Sequence, residues 1–223
     1  MHAAVFFEDV FGDSEGALAY LEKVLALAPR AKLYNVGKRA NRPSVDQRFI
    51  CRLLVRMGVR HRVIVRLKGG DPHLFGRATE EIEACRAAGI SVVTVPGVSA
   101  GFAAAAALGT SLTSRGVSRS VAFVTPAVAR GAAGDDHWAE AAAAADTAVI
   151  YMGALNAGRV QQALLERGVP ASRPVALVEN ASSDSERIIR GALGELPALA
   201  SALGEGPSIM IVGEAIAEAH APG

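Results

Sequence analysis

Four short stretches place residues capable of chemistry directly after apolar runs of strand length. In Leu67-Lys68-Gly69-Gly70-Asp71-Pro72 a strand pattern runs straight into two glycines, an acid and a proline. Adjacent glycines let backbone amides come close to a ligand. The same residues also describe a tight βα turn with Asp71 as its cap. No Gly-Lys-Ser/Thr follows, which excludes a Walker A loop, and the spacing is not that of a G-x-G-x-x-G fingerprint. Pro96-Gly97-Val98-Ser99-Ala100-Gly101 opens a helix of small residues. Small side chains at a helix start leave room for a flat ligand and expose free N–H groups. Close helix–sheet packing asks for the same residues. Glu8-Asp9 ends one apolar run and Gly37-Lys38-Arg39 ends the next. An acid and a lysine facing one cleft would form a proton-transfer pair, and Lys38 and Arg39 would suit an anionic substrate. Solvated surface charge is the plainer reading of each.

Other chemistries find no support. His2, His61, His73, His137 and His220 show no ligand spacing, so no metal is expected. Cys51 and Cys85 sit in neither a metal-type nor a redox-type spacing and suit a reducing cytosol. No G-x-S-x-G elbow occurs, which argues against a serine hydrolase. The 23 basic and 22 acidic side chains give a net charge of +1, with no broad basic field for nucleic acid. No apolar run long enough for a membrane span and no signal peptide is apparent, so a cytoplasmic protein is expected.

The elements that must position these stretches follow from periodicity. Strands are expected at Ala3–Phe7, Lys32–Val36, Val63–Leu67 and Val92–Val95. Helices are expected between them: one begins at Ser14, and one is capped by Ser44 with Phe49, Ile50, Leu53, Leu54 and Met57 on its apolar face. A third runs from Arg77 to Ala88. Alternating βα units imply a mostly parallel sheet with ligands at the strands' carboxyl ends. A small-residue helix over Ala103–Leu108 and a polar connector over Thr110–Ser118 come next. The Ala139–Ala145 run reads as a helix followed by a turn at Asp146-Thr147. Strands at Val121–Thr125, Ala148–Met152, Val175–Glu179, Arg187–Gly191 and Ser208–Val212, with helices at Ala157–Arg167 and Leu196–Leu203, imply a mixed sheet. The expected organisation is an α/β chain of two domains, residues 1–112 and 113–223.

Taken together, these segments resemble the tetrapyrrole methylase family, and within it the uroporphyrinogen-III C-methyltransferases. The resemblance rests on Val65 to Arg77, on Val95-Pro96-Gly97-Val98-Ser99-Ala100, and on Val36-Gly37-Lys38-Arg39 with Ser44 and Gln47. Leu112-Thr113-Ser114-Arg115, Val124-Thr125, Ile150-Tyr151-Met152-Gly153, Ala176-Leu177-Val178-Glu179-Asn180 and Ile211-Val212-Gly213-Glu214 follow in the family's order. It implies a two-domain fold with the active-site cleft between a mostly parallel and a mixed sheet, a homodimer, and S-adenosyl-L-methionine as co-substrate without a metal. It implies methylation of uroporphyrinogen III at C2 and C7 to precorrin-2, for sirohaem and cobalamin synthesis, with no nucleic-acid or membrane partner. It puts Glu8 and Lys38 at the proton-accepting and proton-donating positions. Gly69, Gly70, Asp71, Leu74, Ser99, Ala100, Met152 and Ala181 fall around the co-substrate. Arg39, Arg66, Arg77 and Arg115 are the candidates for the substrate's carboxylates, since guanidinium groups pair carboxylates well.

The chain also departs from the family's pattern. It opens at the strand that in the family follows a first strand, a Gly-x-Gly-Pro-Gly-Asp loop and a helix. The resemblance therefore implies a chain shortened at the front, with a weaker hold on the co-substrate. Glu8 replaces the family's Asp, and Ser114 stands where His is common. Two other readings compete: a methylase of the same family acting on a later precorrin, diphthine or ribosomal RNA, and a non-catalytic remnant.

Overall fold

Val63, Ile64 and Val65 are β-branched and apolar, and with Arg66 and Leu67 they form a strand that ends one residue before the glycines. In the computed structural model, which describes residues 3–7, 26, 31–36, 46–127 and 136–217, this strand (β3) pairs in parallel with β1 (Ala3–Phe7). β1 pairs in parallel with β2 (Lys32–Asn35) on its other side, giving the order β2-β1-β3. Helix α1 (Gln47–Gly58) and helix α2 (Ala78–Ala87) pack with this sheet, and Val36, Ile50, Leu54, Met57 and Cys85 form its core. These elements lie in one compact unit, Met1–Ser99, and the remainder forms a second, Ala100–Gly223.

Three sequence expectations change in the first unit. The N-cap of α1 is Asp46, whose carboxylate accepts the Arg48 N–H at 2.6 Å; Ser44 lies outside the described residues. Phe49 is 48% exposed, and Gln47 is buried on the stripe that holds Ile50, Leu54 and Met57. Phe49 precedes Ile50 by one residue, about 100° around the helix, so both cannot face the core. Val92–Val95 is not a strand: residues 90–99 carry no regular structure. Val92 packs on the core while Val93 and Val95 are 88% and 77% exposed, so the alternation is present but, among the described residues, no ladder partner is. The helix expected from Ser14 lies outside the described residues.

The second unit opens with α3 (Ala100–Ala107), three residues earlier than the small-residue run suggested. It continues through β4 (Val121–Val124), α4 (His137–Ala144), β5 (Thr147–Tyr151), α5 (Ala157–Glu166), β6 (Pro174–Glu179), β7 (Arg187–Ala192), α6 (Leu196–Ser201) and β8 (Ser208–Gly213). Thr147, expected in a turn, is the fully buried first residue of β5. The sheet order is β4-β5-β8-β6-β7. β4 and β5 run parallel, joined through α4, and every other pair is antiparallel. β8 enters between β5 and β6, and all three are near-continuous buried apolar runs, as strands covered on both faces must be. Thr110–Ser118, read as a connector, is tied to the second unit. Thr110 Oγ1 donates to the Ala215 carbonyl at 3.0 Å, and the Ser118 and Thr147 hydroxyls are 2.9 Å apart. Among the described residues no helix is long and apolar enough to cross a membrane.

Leu177 sits at the centre of this sheet with no exposed surface and belongs to the core cluster with Ile150, Leu164 and Met210. Leu177→Ala is expected to cost roughly 2–5 kcal/mol by leaving a cavity. Urea denaturation checks this, with an unchanged m-value expected.

Candidate functional site

The turn after β3 is built around one carboxylate. Asp71 Oδ1 accepts the His73 N–H at 2.9 Å, and Oδ2 accepts the Gly97 N–H at 3.0 Å. These two backbone hydrogen bonds, His73 first and Gly97 second, hold the Asp71 carboxyl below the ordinary carboxylate range. The Leu74 N–H donates to the Asp71 carbonyl at 3.3 Å. Gly70 has φ +71, the left-handed region that glycine enters without a Cβ penalty. Gly97 lies directly on the Gly70 carbonyl oxygen, so a Cβ at Gly97 would collide with it. Gly69 and Gly70 are exposed and Asp71 and Leu74 half-buried, while Ser99 is buried. Five of the residues proposed from sequence therefore share one loop system, closed by the Asp71–Gly97 bond. The glycine motif is a tight turn clasped by Asp71, with exposed backbone at the end of a strand.

In the second unit the other candidates gather at one end of the sheet. Tyr151, the last residue of β5, and Val178 of β6 both lie opposite Ile209 of β8. Met152 and Ala181, which follow these strands, therefore leave the sheet at the same end. Met152 has φ +56 and is 53% exposed. A left-handed conformation at a non-glycine residue is strained and occurs where surroundings impose it, often at ligand sites. The Gly101 N–H donates to the Tyr151 hydroxyl at 2.8 Å, fixing the start of α3, and so Ala100, against the end of β5. A Cβ at Gly101 would lie 2.8 Å from Val149 Cγ1 and from that hydroxyl, so close packing explains this glycine.

The basic candidates differ. Arg66 is turned inward: its guanidinium binds Glu81 and donates to the Leu67 carbonyl at 2.8 Å. Arg77 precedes α2 with φ +53, and its exposed guanidinium pairs with Glu80 at 2.8 Å. Such an exposed pair contributes roughly 0–1 kcal/mol. Arg115 is exposed in the turn closed by the Ser114 N–H donating to the Ser118 carbonyl at 2.9 Å. Glu8, Lys38 and Arg39 lie outside the described residues.

A family model of tetrapyrrole (corrin/porphyrin) methylases matches residues 4–197, which include every element of this loop system. The chain belongs to the tetrapyrrole methylase family. It is 43% identical over 182 residues to siroheme synthase 2 of Cronobacter sakazakii, covering 82% of this chain and 39% of that protein. It is 41% identical over 179 residues to siroheme synthase of Zymomonas mobilis, covering 80% and 38%. The chain thus matches about two fifths of the length of these curated relatives. Among solved structures it is similar to uroporphyrin-III C-methyl transferase of Thermus thermophilus complexed with S-adenyl homocysteine. The TM-score is 0.76 at 33% identity, over 96% of this chain and 86% of that one.

Sequence reasoning overlooked Glu81 and undervalued Lys68. Their signal was present: Ala78, Glu81 and Cys85 are the buried positions of α2, so an acid stands in an apolar stripe. It also missed that the 96–101 segment clasps the 69–71 turn, because nothing local reports a contact across 26 residues.

The Asp71 clasp carries a pH signature. A lowered carboxyl pKa means that the clasp is complete above the ordinary carboxylate range and fails only as pH falls through the lowered value. The Gly97 and His73 amide proton resonances are therefore expected to move together, with a midpoint below about 3.9. A midpoint at or above that value in an NMR titration would contradict the assignment.

Proposed function

We propose that this chain catalyses S-adenosylmethionine-dependent C-methylation of uroporphyrinogen III at C2 and C7, giving precorrin-2. The observation that carries the reading is the backbone-lined turn at Gly69–Asp71, clasped to Gly97, in a tetrapyrrole methylase. The names of the siroheme synthase relatives and of the uroporphyrin-III C-methyl transferase support it. The turn fits an adenosyl ligand: Gly69 and Gly70 present backbone without side chains, and each Asp71 oxygen already accepts a backbone N–H. Asp71 thus acts chiefly by holding the turn's shape.

S-adenosylmethionine supplies an electrophilic methyl group on a sulfonium centre. An electron-rich pyrrole β-carbon needs only to be held in line with it, and alignment is the part a protein provides. In the first unit we assign Gly69, Gly70, Asp71, Leu74 and Ser99 to holding the co-substrate. In the second we assign Ala100, Met152 and Ala181. Glu8 takes the proton lost after methylation and Lys38 moves a proton at the same centre. Arg39, Arg77 and Arg115 pair with the substrate's carboxylates, while Arg66 is taken up by Glu81. The reading further assigns the protein to sirohaem and cobalamin synthesis, as a cytoplasmic homodimer working without a metal.

Titration calorimetry with S-adenosylhomocysteine tests the assignment of roles. Wild type is expected to bind in the micromolar range. Asp71→Ala is expected to weaken that binding. Glu8→Ala and Lys38→Ala are expected to leave it nearly intact and to lower turnover by roughly a hundredfold or more. If all three variants behave alike in both assays, the division of roles is wrong.

A further inference from the structure

Beneath the Gly69–Asp71 turn lies a buried cluster that the proposed chemistry does not use. Glu81 of α2 is 5% exposed. Its Oε1 accepts from Gln47 Nε2 at 2.9 Å, Arg66 Nη2 at 3.1 Å and Lys68 Nζ at 3.3 Å. Its Oε2 accepts from Arg66 Nε at 3.2 Å and Lys68 Nζ at 3.4 Å. The Arg66 and Lys68 side chains are only 11% and 7% exposed. One carboxylate thus draws together the first residue of α1, Arg66 near the end of β3, Lys68 just beyond it and the core stripe of α2.

Such a cluster is a poor way to gain stability. Burying charges is expensive, and well-packed apolar residues of similar volume often serve as well or better. What it supplies is geometry. Lys68 immediately precedes Gly69 and Gly70, which impose little direction of their own. Its stem packs against the later part of the same loop: a Cβ at Gly76 would lie 3.1 Å from Lys68 Cε. The loop that begins at Gly69 is thus flanked by a side chain whose far end is held at Glu81.

We infer that Glu81 is a positioning residue for co-substrate binding: by holding Lys68 and Arg66 it sets the Gly69–Asp71 turn in the shape that Asp71 then clasps to Gly97. The ligand part of this inference rests on the proposed function; the shape part does not.

The test replaces the charged trio by apolar residues of similar size, Arg66→Met with Lys68→Met and Glu81→Leu. The melting temperature, the Gly97 amide resonance of the ligand-free protein, and the affinity for S-adenosylhomocysteine are then measured. The expected result is a melting temperature near wild type, an upfield shift of the Gly97 amide, and at least about a tenfold loss of affinity, with KM for S-adenosylmethionine rising more than kcat falls. A folded variant with unchanged Gly97 amide and unchanged affinity overturns the inference, because the cluster would then be merely structural. If the triple variant does not fold, Lys68→Met leaves a charge-balanced Arg66–Glu81 pair and is judged by the same readouts. If wild type fails to bind S-adenosylhomocysteine, the proposed function fails, and the Gly97 amide alone still decides whether Glu81 shapes the turn.

Discussion

Asp71 accepts one N–H from two residues further on and another from twenty-six residues further on, and the second joins two segments that local sequence cannot bring together. The junction imposes requirements on both sides. Gly97 must lack a side chain, because the Gly70 carbonyl occupies the space of a Cβ. Gly70 must take a positive φ to present that carbonyl. The carboxyl must remain ionised, and two backbone donors keep it so. That arrangement fixes the shape of the loop that leaves Gly69 and Gly70 exposed at the end of β3.

The second unit has a different organisation. Its three inner strands, β5, β8 and β6, are buried on both faces. What varies is the end of the sheet, where Met152 and Asn180 adopt left-handed backbone conformations directly after β5 and β6. Non-glycine residues in this conformation, exposed at Met152 and half-buried at Asn180, mark an edge where the surroundings impose the backbone. The Tyr151 hydroxyl extends that edge to α3 through Gly101, so a single hydrogen bond aligns the helix start with the strand end.

Much of this was legible in the sequence wherever burial alone decides structure. Val175–Glu179 and Ser208–Val212 were readable as strands because both faces are covered and the apolar signal is continuous. Val92–Val95 carries the same signal without a partner strand among the described residues, and apolar character cannot report pairing. Phe49 was misplaced for a related reason: hydrophobicity ranked it above Gln47, but Gln47 faces inward to Glu81. The glycine positions of the site were readable from the motif, whereas the cause at Gly97 was not, since it is a contact made by the distant Gly70 carbonyl. Arg66 shows the limit most clearly. Its type suited a substrate carboxylate, and the carboxylate it meets belongs to the protein.

The central claim is that this tetrapyrrole methylase moves methyl groups from S-adenosylmethionine onto uroporphyrinogen III. The most direct measurement is mass spectrometry of the tetrapyrrole after incubation with the purified chain and isotopically methyl-labelled S-adenosylmethionine. The account predicts that the tetrapyrrole gains two labelled methyl groups, on adjacent pyrrole rings. An unlabelled tetrapyrrole, under conditions in which the chain demonstrably binds S-adenosylhomocysteine, would contradict it.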